Sequence, residues 1–351
     1  MGHPDLTKLA HQPLFAQGPS VSQLCLGAMM FGDRTDAAEA GRILDAFFAA
    51  GGSFIDTADS YAGGDSERML GELLGSRRDQ VVLATKVGNP VRGVENSGGL
   101  SRAWILEAAR MSLERLATDR VDLYYLHLED DETPIEETVG ALGELMERGA
   151  IRSWGFSNFR PWKIAEMVRI ADRIGVARPR VAQPYYHLLN RIVEADYLPA
   201  CRHFGIAAVP YSPLARGVLT GKYRDGTPEG SRAGRGDKRM GETEFFPETI
   251  ALASRVADYA AETGRTAPGL AVRWVLAADT VGQVLVGPRT LDQLEGYLDA
   301  AGTPYTAADE AFLSGLCIPG HTAVPGHNDP RYPLQGRRTP FDAASASPGN
   351  A

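Results

Sequence analysis

The sequence alternates between short apolar runs and longer segments in which apolar residues recur every three to four positions. A short, continuous apolar run is typical of a buried parallel strand, and the longer periodicity is typical of an amphipathic helix. The pattern predicts eight strands, at 23–27, 53–58, 81–87, 122–128, 152–157, 181–185, 206–211 and 283–286. Nine helices are predicted between and beside them, at 36–50, 67–74, 102–116, 134–147, 162–174, 192–204, 247–263, 268–278 and 291–300.

Strands that alternate with helices form either a doubly wound open sheet or a (β/α)8 barrel. The barrel is favoured because the strands are evenly spaced and because LGAMMFGD, after the first strand, lacks the GxGxxG turn of a Rossmann unit. We expect one (β/α)8 TIM barrel domain over residues 1–341 and a flexible tail over residues 342–351. The Gly-containing segments 88–99 and 215–246 are predicted to be long loops at the barrel mouth.

Composition and charge argue against several classes of function. The chain has 351 residues and a net charge of -8, whereas a nucleic-acid interface needs a basic face. Its three cysteines lack the spacing of a disulfide framework or a thiolate zinc site. The N-terminus lacks the apolar region of a signal peptide, and no apolar run approaches the roughly 20 residues of a membrane span. We expect a cytoplasmic protein that binds neither nucleic acid nor membrane.

Polar side chains stand at the ends of three successive predicted strands. Asp56 and Tyr61 lie in FIDTADSYAGG, Lys86 lies in VVLATKVG, and His127 lies in VDLYYLHLED. The C-terminal ends of parallel barrel strands meet at one mouth, where the chemistry of such folds is found. Each residue alone has an ordinary structural explanation, as a turn residue, a packed ring, a solvated amine or a core histidine. The combination predicts that the four side chains form one site.

These four groups could together deliver a proton to a carbonyl oxygen. A free tyrosine, with a pKa of about 10, is a weak acid at neutral pH. The Lys86 ammonium is predicted to lower the pKa of Tyr61 by stabilising its phenolate, while Asp56 keeps Lys86 charged and in place. His127 would donate a hydrogen bond to the carbonyl or share the Tyr61 proton. The expected chemistry is polarisation and protonation of a C=O group.

The four residues lie within blocks that resemble the aldo-keto reductase superfamily, of the bacterial long-loop type. The blocks occur in order over residues 22–317 and read FIDTADSYAGG, LATKVG, LYYLH, GFSN, AQPYY, VPYSPLARGVLTGKY and VGPRTLDQL. The resemblance implies a (β/α)8 barrel that binds NADPH, or alternatively NADH, extended across its mouth. It implies that Tyr61 is the general acid and base, that Asp56 and Lys86 tune it, and that His127 orients the carbonyl.

The resemblance also assigns residues to the nicotinamide half of the cofactor. Ser157, Asn158 and Gln183 match the groups that hold the carboxamide, and Tyr211 matches the aromatic residue that stacks on one face of the ring. The chemistry of these side chains agrees with such roles. Asn and Gln supply both the donors and the acceptors that a carboxamide needs, and an aromatic ring offers a flat ligand an apolar platform.

Further residues match the phosphate and adenosine half. Ser212, Leu214 and Gly217 match the loop around the pyrophosphate, where a Gly-containing turn lets backbone groups approach phosphates closely. Arg289 and Gln293 match the part that meets adenosine and its 2′-phosphate, and the arginine fork suits a phosphate group.

Two positions depart from the family pattern. Tyr186 and His187 stand where the family often has Tyr-Asn, and Gly296 and Tyr297 stand where its adenosine motif often ends in Glu-Asn. The second change removes hydrogen bonds to adenine. The resemblance therefore implies NADP less firmly than it implies the catalytic residues.

The predicted function is the reduction of an aldehyde or ketone to an alcohol, with hydride from NADPH and a proton from Tyr61. The expected partner is a small-molecule carbonyl compound, and no metal is expected because the nicotinamide supplies the hydride. Two alternatives stay open. One is a sugar or alcohol dehydrogenase that runs the reverse reaction, and the other is a nicotinamide-binding regulatory subunit, a role that members of the superfamily serve for channels. A metal-free hydrolase would need a nucleophile–base pair that the sequence does not offer.

The substrate pocket is predicted to consist of apolar residues and the mouth loops. The polar segment 89–96 would tolerate a hydroxylated substrate such as a sugar. The apolar residues predicted to line the pocket are Met29, Met30, Phe31, Trp104, Leu128 and Tyr186.

Overall fold

A computed structural model describes residues 6–333 of the chain. The predicted domain end at residue 341 and the predicted flexible tail, residues 342–351, lie outside the described residues.

Eight parallel strands form the barrel, and an antiparallel N-terminal hairpin that the sequence pattern did not predict precedes them. In chain order the strands are β1 (His11–Pro13), β2 (Ser20–Ser22), β3 (Leu24–Gly27), β4 (Phe54–Asp56), β5 (Val82–Val87), β6 (Val121–Leu126), β7 (Ile151–Ser157), β8 (Val181–Gln183), β9 (Ala207–Ala208) and β10 (Val284–Val286). The sheet order is β10-β3-β4-β5-β6-β7-β8-β9. Bridges from Ala208 to Val281 and from Tyr211 to Leu285 connect its two ends. The predicted (β/α)8 barrel is confirmed.

Strands β4, β8 and β9 are shorter than predicted by two residues or more, and a proline explains the difference in β8 and in β9. Strand β8 ends at Gln183, directly before Pro184, and β9 ends two residues before Pro210. Proline has no N–H and cannot donate to a neighbouring strand. Pairing resumes beyond the prolines, where the N–H of Tyr211 donates to the Pro184 carbonyl at 3.0 Å. The two segments that follow β8 and β9 therefore run to the barrel mouth, although the pairing between them is interrupted.

All nine predicted helices are present, with ends that differ by a few residues. The predicted helix at 192–204 is divided into a 3-10 turn, Ile192–Glu194, and α6. The sequence analysis missed α7, which lies inside the predicted loop 215–246, and α11. The helices are α1 (Ala37–Ala49), α2 (Asp65–Leu74), α3 (Arg102–Arg115), α4 (Ile135–Glu147), α5 (Pro161–Ile174), α6 (Tyr197–Phe204), α7 (Lys238–Thr243), α8 (Pro247–Glu262), α9 (Ala267–Leu276), α10 (Leu291–Gly302) and α11 (Ala307–Ser314).

The core has two layers, one inside the barrel and one between the barrel and its helices. Leu14 and Val21 of the hairpin pack into the inner layer, so the hairpin closes the N-terminal end of the barrel. In β7, a Cβ at Gly155 would lie 2.1 Å from the carbonyl oxygen of Val181, so only glycine allows this close approach of β7 and β8. With one end closed and the interior filled, the C-terminal end is the open mouth.

Candidate active site

Three neighbouring strands bring the predicted quartet to the barrel mouth. Asp56 is the last residue of β4, Lys86 lies in β5, and His127 directly follows β6. Tyr61 begins a 3-10 turn, Tyr61–Gly64, that leads from β4 into α2. Parallel pairing of β4 with β5 and of β5 with β6 aligns the strand ends. The structure thus brings together all four residues that the sequence analysis selected.

Asp56 and Lys86 form a buried ion pair beneath the mouth, with side chains 1% and 0% exposed. The Lys86 Nζ donates to Asp56 Oδ1 and to the Thr57 carbonyl, and Gln183 Nε2 donates to Asp56 Oδ2 at 3.0 Å. Burial alone would lower the pKa of Lys86, but the Asp56 carboxylate and the Tyr61 phenol together raise it above its usual value. Lys86 is therefore a fixed positive charge at this position.

Tyr61 lies next to this ion pair and lines the cavity at the mouth. The Lys86 Nζ is 5.0 Å from the centroid of the Tyr61 ring. Burial raises the pKa of Tyr61 and outweighs the lowering by Lys86, and Asp56 adds to the rise. Lys86 lowers the pKa of Tyr61, as predicted, but desolvation is the larger effect and Asp56 offsets the lysine charge, so the net shift is upward. At neutral pH Tyr61 is a neutral phenol that carries its proton.

His127 is a neutral imidazole beside Tyr61. The two rings meet edge to face, with their centroids 5.7 Å apart. Burial holds the pKa of His127 well below its usual value, and the charges of Lys86 and Arg331 lower it further. Its Nδ1 has no hydrogen-bond partner among residues 6–333. A neutral ring that lines the cavity can present one N–H to a carbonyl oxygen without competing for the tyrosine proton.

A cavity of about 820 Å³ opens at the barrel mouth. Asp56, Tyr61 and His127 line it, whereas Lys86 lies beneath its floor. From there the cavity extends past residues 211–217 to α10, and its volume lies within the range typical of small-ligand sites. Another cavity, of about 350 Å³, lies at the opposite end of the barrel beside the hairpin and contains none of the predicted site residues.

The residues predicted to hold a carboxamide form one connected row on the cavity wall. Ser157 Oγ donates to the Gln183 carbonyl at 2.8 Å, and Asn158 Nδ2 donates to Ser157 Oγ at 2.8 Å. The Tyr211 hydroxyl donates to Asn158 Oδ1 at 3.0 Å. Tyr211 also stacks on Tyr185, with centroids 5.1 Å apart and planes inclined by 25°. Tyr211 is therefore held rigidly, as a platform for a flat ring must be.

The turn after Tyr211 has unusual backbone geometry. The φ angles of Ala215 and Arg216 are 47° and 52°, and a Cβ at Gly217 would lie 3.2 Å from Lys222 Nζ. Non-glycine residues in the left-handed region are strained and cluster at ligand sites, and turns of this kind direct successive N–H groups into a concavity that suits anions. The predicted pyrophosphate residues that line the cavity here are Ser212, Leu214 and Gly217.

The two residues predicted for the adenosine end are differently placed. Gln293 lines the cavity, but Arg289 does not. The Arg289 backbone N–H donates to Gln293 Oε1 at 2.8 Å, so this contact shapes the loop before α10. Arg216, Lys222 and Arg224 are the alternative phosphate hosts from the sequence, and of these Arg216 and Lys222 line the cavity. Arg232 also lines the cavity but was not selected, because the sequence of the mouth loop gives no sign of which side chains face inward.

The predicted apolar pocket is largely wrong. Met29 and Met30 line the cavity, but Leu128 does not. Phe31, Trp104 and Tyr186 are buried in the core between barrel and helices. Successive residues near a strand end point to opposite sides, so apolar character alone did not separate pocket from core.

The C-terminal segment supplies cavity residues that the sequence analysis missed. Arg331 and Tyr332 line the cavity together with Asn89. Arg331 Nη2 donates to Asn89 Oδ1 at 2.9 Å, and Arg239 Nη2 donates to Asp329 Oδ2 at 2.6 Å. These contacts join positions up to 242 residues apart. No local sequence signal could have revealed them.

The described part of the chain offers neither a cluster of metal ligands nor a helix that could span a membrane. Residues 6–333 contain no group of three or more His, Cys, Asp or Glu side chains arranged to hold a metal ion. Among the same residues, every helix is too short or too polar to cross a membrane.

Comparison with known proteins agrees with this geometry. A family model described as the aldo/keto reductase family matches residues 23–314. A probable voltage-gated potassium channel subunit beta from Oryza sativa subsp. japonica is 36% identical over 293 residues, which cover 82% of this chain and 89% of the relative. Aflatoxin B1 aldehyde reductase member 2 from Mus musculus is 37% identical over 307 residues, 82% of each chain. Aflatoxin B1 aldehyde reductase member 4 from Homo sapiens is 36% identical over 296 residues, 79% of this chain and 87% of the relative.

Proposed function

The chain belongs to the aldo/keto reductase family of oxidoreductases, and from that premise we propose that it reduces an aldehyde or ketone to an alcohol, with hydride from NADPH and a proton from Tyr61. The observation that carries the proposal is the position of the Tyr61 phenol on the cavity wall, beside both the His127 ring and the buried Lys86 side chain. An acid, a hydrogen-bond donor and a fixed cation are the groups that carbonyl protonation requires.

Each residue of the quartet has a distinct task in this reaction. The neutral His127 ring donates a hydrogen bond to the carbonyl oxygen and orients it. Tyr61 transfers its proton to that oxygen as negative charge develops there, and Lys86 stabilises the phenolate that remains. Asp56 holds Lys86 in place through the buried ion pair. Solvent then returns a proton to Tyr61, which restores the starting state.

The cavity wall fits a nicotinamide dinucleotide. When bound, NADPH supplies the hydride that reduces the carbonyl carbon. The row of Ser157, Asn158 and Gln183 offers amide and hydroxyl groups to a carboxamide, and Tyr211 offers a rigid aromatic face. The turn with positive φ angles suits a diphosphate. These features support the assignment of the cofactor to this wall.

Turnover with a panel of aldehydes and ketones tests the proposal. We expect NADPH to be oxidised, as followed by its absorbance, when aromatic, aliphatic and hydroxylated carbonyl compounds are supplied in turn. Reduction should dominate over alcohol oxidation at neutral pH. Burial raises the pKa of Tyr61, so the phenolate that alcohol oxidation needs as a base is scarce there and becomes commoner as the pH rises.

A regulatory subunit is the second candidate, because the names of two plant relatives describe potassium channel subunits. The two candidates differ in what happens to bound NADPH. If NADPH binds tightly but no carbonyl compound of the panel oxidises it, even in a single-turnover experiment, the reductase proposal is contradicted and the regulatory one gains support.

Tyr211→Ala should weaken the binding of both NADPH and NADP⁺ by about tenfold. The variant removes an aromatic platform, worth about 0.5–1.5 kcal/mol beyond buried area, and the hydrogen bond to Asn158. Fluorescence titration measures the affinities. Tyr211→Phe is the matched control, because it keeps the platform and loses only the hydroxyl. Equal affinities in the wild type and Tyr211→Ala would reject the stacking role.

Arg232 is expected to hold the 2′-phosphate in place of the predicted Arg289. Arg232 lines the cavity, and its charge acts on Tyr297 of α10. A charge-assisted hydrogen bond is worth about 1.5–3 kcal/mol, so Arg232→Met should weaken NADPH binding about ten- to a hundredfold and leave NADH binding nearly unchanged. Arg289→Met should change neither affinity. A selective loss of NADPH in Arg289→Met instead would restore the assignment made from the sequence.

A further inference from the structure

A mostly buried polar cluster reaches the cavity wall, and the proposed reaction does not use it. The buried cluster consists of Arg216, Glu244 and His187. The side chains of Arg216 and Glu244 are 13% and 2% exposed, and that of His187 is 1% exposed. Ionisable side chains are rarely buried to this degree unless they are paired.

Arg216 has one end of its guanidinium fixed and the other free. Its Nε lies 2.9 Å from Glu244 Oε2 and donates to Thr243 Oγ1 at 3.2 Å. Its terminal nitrogens, Nη1 and Nη2, make no hydrogen bond to any residue from 6 to 333. Arg216 lines the cavity, but Glu244 does not. The Glu244 carboxyl group therefore holds the inner edge of the guanidinium and leaves Nη1 and Nη2 as two donors available to a ligand.

Glu244 is in turn supported by His187. His187 Nδ1 accepts a hydrogen bond from the Leu189 N–H at 3.2 Å, so the proton of the neutral ring is on Nε2. Burial lowers the pKa of His187 to about 3, with a contribution from Arg216, which keeps the ring neutral. Nε2 is 3.7 Å from Glu244 Oε1, which has no hydrogen-bond partner among the described residues. Burial raises the pKa of Glu244 to about 9, and Asp329 adds to the rise. The N–H dipole of His187 and the Arg216 guanidinium face the carboxyl group and act in the opposite direction, toward its charged form.

The buried cluster also contacts the proposed nicotinamide platform. The Arg216 guanidinium is 5.5 Å from the centroid of the Tyr185 ring, on which Tyr211 stacks. The His187 ring meets the Tyr185 ring edge to face, with the two ring centroids 4.9 Å apart. The Arg216 side chain therefore extends from the turn with positive φ angles toward the aromatic platform. It connects the wall proposed for the nicotinamide with the turn proposed for the diphosphate.

The geometry points to Arg216 as a ligand of the cofactor's diphosphate, through Nη1 and Nη2, and to Glu244 and His187 as positioning residues that fix its orientation. The inference rests on the proposed function. Two parallel N–H groups match a pair of phosphate oxygens. Arg239, which also lines the cavity, is already held by Glu242 at 2.8 Å and Asp329 at 2.6 Å. The rival explanation is that the Arg216–Glu244 pair only holds together two parts of the mouth loop, residues 215–246.

Titration of NADPH into four variants separates these explanations. We expect Arg216→Met to weaken NADPH binding about ten- to a hundredfold, to raise KM for NADPH and to leave kcat at saturating NADPH unchanged. Glu244→Gln should weaken binding in the same direction but less, and it should have no additional effect when Arg216→Met is already present. Arg224→Met is the matched control. Arg224 lies in the same mouth loop and pairs with Asp258 of α8 at 2.6 Å, but it does not line the cavity. Its loss should therefore leave the affinity for NADPH unchanged.

The outcomes that overturn the inference are distinct from failure of the proposed function. If the wild type binds NADPH, and Arg216→Met lowers the melting temperature while the affinity stays within about twofold, the pair is only a structural pin. If Glu244→Gln weakens binding equally with and without Arg216, Glu244 does not act through Arg216. If the wild type itself does not bind NADPH, the proposed function fails and this inference fails with it.

Discussion

Tyr61→Phe is expected to reduce carbonyl turnover by at least about a hundredfold, the range typical of the loss of a general acid, while the affinity for NADPH stays unchanged. The variant keeps the ring, its edge-to-face contact with His127 and its proximity to Lys86. It removes the single proton that the phenol delivers. Steady-state reduction of a good aldehyde substrate, together with NADPH titration, measures both quantities in one preparation.

Tyr125→Phe is a matched control for this loss. Tyr125 is a second tyrosine close to Lys86, whose Nζ lies 5.8 Å from its ring centroid. Its hydroxyl is buried without a hydrogen-bond partner among residues 6–333, and it does not line the cavity. Removing that hydroxyl should leave turnover unchanged. Near-normal reduction by Tyr61→Phe, or a loss in Tyr125→Phe as large as that in Tyr61→Phe, would contradict the assignment of Tyr61 as the proton donor.

The barrel and the quartet could be predicted because both depend on local patterns. Buried strands are apolar throughout, so a polar residue at the end of one is conspicuous, and the parallel order brings such ends together. Asp56, Lys86 and His127 were found in this way. The two-residue strand β9 and the three-residue strands β1 and β2 are too short to show such a pattern. Strands β8 and β9 end before Pro184 and Pro210, although the apolar runs in the sequence continue past these prolines.

The net pKa shift of Tyr61 could not be predicted, because it depends on three-dimensional burial. Neither the extent to which Asp56 offsets Lys86 nor the degree of desolvation of the ring can be read from a linear sequence. The cavity wall also escaped prediction where remote segments meet. Arg331 reaches Asn89 across 242 positions, and Arg232 faces inward from a loop whose basic residues look alike in sequence. Contacts between residues so far apart in the chain produce no periodic pattern in the sequence.

Lys86→Met should reduce both stability and turnover. Asp56 would stay buried without its cation, and removing one partner of a buried ion pair costs about 3–5 kcal/mol. Lys86 is the group that lowers the pKa of Tyr61, so without it the already raised pKa rises further. A weaker acid transfers its proton less readily, and we expect reduction to fall by at least about a hundredfold. Reduction needs the neutral phenol, which is lost as the pH rises through the Tyr61 pKa. The alkaline limb of the pH profile should therefore move to higher pH.

The double variant Asp56→Asn/Lys86→Met separates the two consequences. It replaces the ion pair by neutral groups of similar size, so no unpaired charge stays buried and the melting temperature should recover much of the loss seen in Lys86→Met. Turnover should stay low, because the phenolate of Tyr61 still lacks a neighbouring cation. If Lys86 tunes the pKa of Tyr61, the double variant should recover stability but not turnover. If the double variant regains wild-type turnover together with stability, Lys86 acts only by neutralising Asp56, and the electrostatic support of Tyr61 must come from another group.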